Sequence, residues 1–395
     1  MTSRARNLLV FQSGGPTPVI NRSLYGVIAE ASADPRAGRI LGSRHGIEGV
    51  LRGETIDLSG QPSDLLDRVA QMPAAALGSS RHSLASDDIG IVIERLDALE
   101  IGYLLPIGGN DSAETGHRIA EAASAAGMKL NVVHVPKTID NDLVGTDHTP
   151  GYGSAARFVA LATLGAGLEA EAMARAAPIA IIEVMGRDAG WLAASAGLAK
   201  YTDRDAPHVL GLPEVEVDEE RLLVAIEEAY RRHGFAVAVV AENIRTADGV
   251  VGGGAEPYHV DSFGHEYFQS PASYLARRLM ERLGVRVRDE KPGTIQRSFI
   301  PAVSPVDARE AEDVGRAAVR YALEGQSDVM AAIERSPGRA YSCTSITVPL
   351  VDVAGAVKAM PTEFLDRERY RVTDDFLDYA RPLIGDPIPA PARLT

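Results

Sequence analysis

Short apolar runs alternate along the chain with longer stretches whose apolar positions recur at helical spacing, the pattern of a parallel α/β sheet with strands buried on both faces. Leu8-Leu9-Val10-Phe11 predicts a buried strand, broken by Ser13-Gly14-Gly15-Pro16, and a helix follows from about Pro18 to Ala31 with Pro18 in its first turn. Ile101–Ile107 predicts a second strand, residues 112–126 a helix, and Asn131–Val135 a third strand. After residue 150 the pattern repeats: a helix over 153–170, a strand over Ile179–Val184, a short helix over 189–197, and a helix over 219–232 with an acidic first turn. Residues 235–241 form a continuous apolar run typical of a central strand. Residues 246–264 predict an irregular excursion, with Gly252-Gly253-Gly254 as a flexible turn, and helices follow over 271–283 and 306–323. Pro382, Pro387, Pro389 and Pro391 predict a loosely held tail. The fold class expected is α/β, in two similar lobes.

Composition adds mostly exclusions. A chain of 395 residues, 45% apolar and 24% charged, can build two sizeable cores. Its formal charge of -14, with basic residues scattered, gives no bulk attraction to nucleic acid or anionic membrane. Cys343, the single cysteine, excludes an intrachain disulfide and a Cys-based zinc cluster, and is expected to be a buried thiol. The nine histidines show no ligand-pair spacing, so none is assigned to metal. With no signal-like N-terminus and no apolar run near membrane-spanning length, a cytoplasmic protein is expected.

The chemistry concentrates at the ends of the predicted strands. Val135-Pro136-Lys137-Thr138-Ile139-Asp140-Asn141-Asp142 packs a cation, a hydroxyl and two carboxylates just after an apolar run. A core strand cannot bury that many ionisable groups unpaired, so the segment belongs at an exposed strand end, where a carboxylate can serve as a base beside a phosphate-binding lysine. A polar turn remains the alternative. Gly108-Gly109-Asn110-Asp111-Ser112 also ends an apolar run, and suits either a helix cap or glycine amides against phosphate oxygens with side-chain oxygens near Mg²⁺. Ser13-Gly14-Gly15-Pro16-Thr17 offers backbone N–H groups at a helix start, a weak signal alone. Arg81, Met185-Gly186-Arg187, Arg288 and Gly293-Thr294-Ile295-Gln296-Arg297 supply candidate anion partners, and Glu242 a candidate for a sugar hydroxyl. No GxGxxG fingerprint follows the first strand, which argues against a nicotinamide-dependent reductase.

In this order the segments SGGPTPVIN (13–21), LGSSR (77–81), GGNDS (108–112), PKTIDND (136–142), EVMGRDAGW (183–191), LPEVEV (212–217), AEN (241–243) and GTIQR (293–297) resemble the phosphofructokinase family. The resemblance spans most of the chain and implies two Rossmann-like, three-layer αβα lobes with mainly parallel sheets. It places the phosphoryl donor on a lobe of residues 1–151 plus about 297–345. The sugar phosphate falls to a lobe of 152–296 plus about 346–395. Asp140 resembles the base that takes the C1 hydroxyl proton of fructose 6-phosphate, with Lys137, Asp111 and Arg187 as the other catalytic positions. Gly14, Gly15, Arg81, Gly108, Gly109 and Ser112 would cradle the donor. Thr138, Ile139, Met185, Gly186, Glu242, Arg288, Thr294, Gln296 and Arg297 would hold the substrate. Mg²⁺ is the implied cofactor, near Asn110 and Asp111, and a homodimer or homotetramer the implied assembly.

The donor is read from two substitutions. Family members that use ATP resemble a pattern with glycine at the places of Asp111 and Lys137. The Asp111 carboxylate adds bulk and negative charge where an α-phosphate would lie, and Lys137 adds a point cation suited to pyrophosphate. The resemblance therefore implies reversible, pyrophosphate-dependent phosphorylation of fructose 6-phosphate; the same reaction with ATP and a non-catalytic sugar-phosphate sensor are the alternatives. The chain departs from the bacterial ATP-using pattern at Tyr25, Pro178 and Thr294, where an effector-site arginine, an arginine serving a neighbouring subunit and a histidine are usual. It departs also at Asn110, a neutral amide where many relatives carry a metal-associated aspartate, which shifts that role toward Asp111 or Asp140.

Overall fold

The computed structural model describes residues 5–253, 256–260, 266–338 and 340–394. The chain divides into two units, residues 1–151 with 306–357, and 152–305 with 358–395. The expected returns near 297 and 346 fall at 305/306 and 357/358 instead. The residues between carry two short 3₁₀ turns on one side and the end of a sheet strand on the other, and each stays with the unit it packs on.

In the first unit, strand β1 (Arg6–Gln12) is followed by helix α1 (Ile20–Ala33), β2 (Ala37–Ser43), α2 (Ile47–Arg52), β3 (Thr55–Asp57), α3 (Ser63–Ala70) and α4 (Ser86–Ala98). Then come β4 (Ile101–Gly108), α5 (Asn110–Ala125) and β5 (Asn131–Pro136). The second unit contributes α6 (Tyr152–Ala172), β6 (Ile179–Val184), α7 (Trp191–Ser195), β7 (Val209–Gly211), α8 (Glu219–His233), β8 (Ala236–Ala241), α9 (Pro271–Leu283) and β9 (Val287–Glu290). The chain returns through α10 (Pro305–Leu323), β10 (Val329–Arg335), β11 (Cys343–Pro349) and α11 (Leu350–Val353), and finishes with α12 (Asp374–Ala380) in the second unit.

Among the described residues the first unit holds a seven-stranded sheet of order β11-β10-β5-β4-β1-β2-β3, parallel except at its two edges. Leu8, Val10, Ile107 and Val135 point to one apolar cluster with α1 and α10, while Leu9, Phe11, Leu104 and Val132 point to another with α4, α5 and α11. That alternation buries each central strand twice, which is why the runs read as continuously apolar. Helices α1 and α10 cross at glycines: a Cβ on Gly26 would meet the Glu312 carbonyl oxygen at 2.2 Å, and one on Gly315 the Ser23 carbonyl oxygen at 2.3 Å. The second unit holds a four-stranded parallel sheet, β9-β6-β8-β7, against which α6, α8 and α9 pack.

Several expectations need correction. Helix α1 starts at Ile20 with Val19 as its cap residue, so Pro18 precedes the helix. Helix α5 starts at Asn110 rather than Ser112, because the Gly109 carbonyl already accepts from Ser112 N and Ala113 N, both at 3.1 Å. The C-terminal tail is held, not loose: Leu383, Ile384 and Ile388 are buried, Arg157 donates to the Ile384 carbonyl at 3.2 Å, and Arg393 pairs with Glu171 and Asp205, each at 2.7 Å. The 246–264 excursion contains two short hairpins, Arg245–Thr246 with Gly249–Val250 and His259–Val260 with Glu266–Tyr267. Gly254 of the expected glycine turn, with residues 255 and 261–265, lies outside the described residues. Cys343 is half-buried; its thiol donates to the Tyr341 hydroxyl at 3.2 Å, and burial pushes its pKa up to about 11. Among the described residues no helix is long and apolar enough to cross a membrane.

Candidate active site

Register sets the site of the first unit. Gln12 lies opposite Ile107 and Gly108 opposite Pro136, so β1, β4 and β5 end level and their following loops emerge side by side. The carboxyl ends of parallel strands are where open α/β sheets bind ligands. Four sequence-distant segments are stitched together there. Lys137 N donates to the Gly108 carbonyl at 2.9 Å, Ser13 N to the Ile107 carbonyl at 2.9 Å, and Gly14 N to the Ser80 carbonyl at 3.0 Å. Ser79 Oγ returns a bond to the Gly14 carbonyl at 2.6 Å, which leaves Arg81 two residues from the same turn.

The glycines earn their place by geometry. Gly14 has φ +74, and a Cβ there would lie 3.3 Å from Lys137 Nζ. A Cβ on Gly108 would collide with Ser112 Oγ at 2.0 Å. Lys137 is buried, with its ammonium donating to the Gly15 carbonyl at 2.7 Å. Asn110 and Asp111 form the first turn of α5, whose cap residue Gly109 offers no side chain to the leading N–H groups. Those amides and the helix dipole suit an anion.

The turn at 138–142 is shaped by its own side chains. Asp140 N donates to Thr138 Oγ1 at 3.1 Å, and Asn141 adopts φ +56, a left-handed conformation that asparagine tolerates better than most residues. Asn141 Oδ1 accepts from Thr149 N at 3.0 Å and Thr149 Oγ1 at 3.3 Å, while Ile139 is buried. Asn110 Nδ2 donates to Asp142 Oδ2 at 3.3 Å, linking the two loops. Asn110 Oδ1 is buried and has no hydrogen-bond partner among the described residues. A buried orphan amide oxygen beside the Asp142 carboxylate offers hard oxygen donors that fit Mg²⁺.

In the second unit, β6 and β8 also end level, Val184 opposite Ala241, which aligns Met185 with Glu242. Glu242 N donates to the Val184 carbonyl at 3.0 Å, and burial pushes its carboxyl pKa up while Arg187 and Lys291 pull it down. Met185 N donates to Gln296 Oε1 at 3.1 Å, and Gln296 Nε2 to the Gly293 carbonyl at 2.8 Å, fixing the 3₁₀ turn Gly293–Arg297 that carries Thr294. Gly186 has φ +126, and a Cβ there would meet the Ala189 carbonyl oxygen at 2.6 Å. Arg187 Nη1 is buried without a hydrogen-bond partner among the described residues.

Arg288 is placed elsewhere. It lies opposite Ala180, well before the strand end, and pairs with Glu169 of α6. Two residues that sequence reasoning passed over complete the cluster: Glu183, 1% exposed, pairs with Lys291 and accepts from Ser270 Oγ, the cap of α9. A carboxylate inside the apolar run Ile179–Val184 was itself a signal, since no strand buries one unpaired; Lys291 carried none.

The comparisons agree with this geometry. The profile described as Phosphofructokinase matches residues 7–322. The pyrophosphate–fructose 6-phosphate 1-phosphotransferase of Rhodospirillum rubrum is 39% identical over 98% of this chain and 96% of its own length. The enzyme of the same name from Xanthomonas campestris is 40% identical over 97% of this chain and 92% of its own. Among solved structures, the pyrophosphate-dependent phosphofructokinase from Nitrosospira multiformis superposes with TM-score 0.89 at 32% identity, covering 98% of this chain and 94% of that one. With a family match over most of its length and near-full-length likeness to these enzymes, the chain belongs to the phosphofructokinase family.

Proposed function

We propose that the protein transfers a phosphoryl group reversibly between pyrophosphate and the C1 hydroxyl of fructose 6-phosphate. The observation that carries the donor assignment is the Lys137 ammonium, seated 2.7 Å from the Gly15 carbonyl in the same turn as Gly14, with Asp111 in the first turn of α5. An ammonium buried among backbone amides favours a compact, highly charged anion, and the Asp111 carboxylate disfavours a further phosphate beyond it. The names of the most similar relatives support the same donor.

Phosphoryl transfer asks the protein mainly for positioning and charge neutralisation. Gly14, Gly15, Gly108, Gly109, Ser112 and Arg81 would hold the donor, and Lys137 would meet charge that develops as the bond to the leaving phosphate breaks. Asn110, Asp111 and Asp142 would hold Mg²⁺, which neutralises donor oxygens when bound. Asp140 would take the proton of the C1 hydroxyl, and Thr138 and Ile139 would orient it. In the second unit Met185, Gly186, Arg187, Glu242, Thr294, Gln296 and Arg297 would hold the sugar phosphate. Arg288, paired with Glu169, would first have to release that partner to join them. Assembly as a homodimer or homotetramer belongs to the same reading.

Turnover with pyrophosphate and with ATP, each offered with fructose 6-phosphate and Mg²⁺, tests the donor. Pyrophosphate should be the faster donor, and the Asp111→Gly/Lys137→Gly variant should lose most of that turnover. Equal or faster turnover with ATP, or unchanged pyrophosphate kinetics in the variant, would reject the assignment.

A further inference from the structure

We propose that His148 is a positioning residue: clamped between Asp147 and Glu310, it holds the turn carrying Thr138, Asp140 and Asp142 in its working shape. The inference rests on the reading of that turn as the catalytic one. The imidazole is buried, with Nδ1 2.8 Å from Asp147 Oδ1 and Nε2 2.7 Å from Glu310 Oε2. Both nitrogens face carboxylates, so the imidazole meets both as a donor only when it is charged.

Protonation of His148 balances the ion pairs described around it. Asp147 also pairs with Arg335 of β10 at 3.0 Å, and the Tyr341 hydroxyl donates to Glu310 Oε1 at 2.6 Å and lies 3.4 Å from His148 Nε2. The Cys343 thiol completes the cluster through Tyr341. Two cations, His148 and Arg335, then face two carboxylates, and a neutral imidazole would leave one negative charge uncompensated in a buried place. Burial disfavours the charged imidazole, but its hydrogen bonds to Asp147 and Glu310 outweigh that and raise its pKa.

The cluster lies on the return leg of the catalytic turn. Thr149, the next residue, supplies both donors that hold Asn141 Oδ1, and Asn141 is the left-handed residue between Asp140 and Asp142. Gly151 N donates to Asp307 Oδ1 at 2.8 Å, and Gly151 bridges Thr138. Asp147 N donates to the Ile333 carbonyl at 2.8 Å. Helix α10 thus grips the leg through Asp307 and Glu310, one turn apart, while β10 grips it through Ile333 and Arg335. Of these anchors, only the His148 contacts depend on an imidazole, whose pKa Asp147 and Glu310 raise.

His148→Gln alone strands the Glu310 carboxylate, so the deciding protein is the double variant His148→Gln/Glu310→Gln, in which Arg335 still serves Asp147. Amide exchange at residues 138–142, kcat and KM for pyrophosphate are measured against pH in the full-length protein with Mg²⁺. In the variant, exchange at 138–142 should rise and kcat fall, each about tenfold or more, with KM changed less than about threefold. In the wild type, protection at 138–142 should decline as pH rises through the His148 pKa, and the variant should lack that step. Exchange and kcat within about twofold of wild type, exchange raised uniformly along the chain, or an alkaline step shared by both proteins would each overturn the proposal. A wild type that turns over neither donor sinks the functional reading alone, because exchange at 138–142 still decides the role of His148.

Discussion

The strand-end loops of the two units solve the same problem, placing charge at a sheet's edge, by different means. The first unit sets one buried ammonium, Lys137, among backbone devices: a positive-φ glycine at 14, a left-handed asparagine at 141 and the open first turn of α5. The second relies on buried side-chain charge: Glu183 at 1% exposure holds Lys291, and Glu242 has its pKa raised by burial and lowered again by Arg187 and Lys291. The first arrangement should fail through sterics, the second through charge removal. Backbone donors sit at fixed distances and cannot be neutralised, whereas a carboxylate–ammonium pair answers to substitution and protonation.

The comparison breaks most completely at Asp140, the carboxylate of the turn read as the base. Asp140→Asn preserves shape and removes the proposed base, so kcat should fall about 10²- to 10⁴-fold with sugar-phosphate binding nearly intact. Calorimetric binding of fructose 6-phosphate beside steady-state kinetics checks this; lost binding with unaltered kcat would move Asp140 out of the reaction.

Two milder substitutions sharpen the contrast. Gly14→Ala forces a Cβ at φ +74 against Lys137 Nζ, so it should raise KM for pyrophosphate and cost about 1–2 kcal/mol of stability through strain. Glu183→Gln keeps the shape but releases Lys291, so it should raise KM for the sugar phosphate and leave that for pyrophosphate unchanged. If each variant altered both constants equally, the division of labour between the units would be wrong.

A separate effect is expected on stability against pH. Each unit contains a buried histidine kept neutral by burial, His134 on β5 and His208 just before β7, both with pKa lowered to about 3. The unfolded chain takes up those protons below about pH 6.5 and the folded one does not, so each site removes about 1.4 kcal/mol of stability per pH unit as pH falls. His148, with its pKa raised, works in the opposite sense: its contribution is complete below pH 6.5 and declines only on the alkaline side. Thermal unfolding should therefore shift to lower temperature between about pH 6.5 and 5, before most carboxylates protonate. A flat profile there would mean that one or both histidines find a partner for the charged form.

Much of this was legible from residues alone. Strands β1, β4, β5, β6 and β8 announced themselves because strands buried on both faces must be apolar throughout, and the polar segments Ser13–Thr17, Gly108–Ser112 and Lys137–Asp142 could lie only beyond their ends. Strands β2, β3, β7 and β9 to β11 were not named, being short, at or near sheet edges, or mixed with polar residues. The C-terminal tail was misread because proline content reports the absence of regular structure, not of anchoring.

Sequence by itself determined which groups stand where a strand ends, since burial of the preceding run leaves an ionisable cluster no other place. It also determined the family, because eight short segments in one order carry more information than any single glycine pair. Tertiary structure alone decided which ends lie level, that Arg288 pairs with Glu169 while Glu183 and Lys291 join the second cluster, and that Asp147, His148 and Glu310 meet at all. The reason is physical: burial is written locally in side-chain polarity, whereas register joins strands tens of residues apart and these charge pairs join residues more than a hundred apart, whose meeting no local pattern encodes.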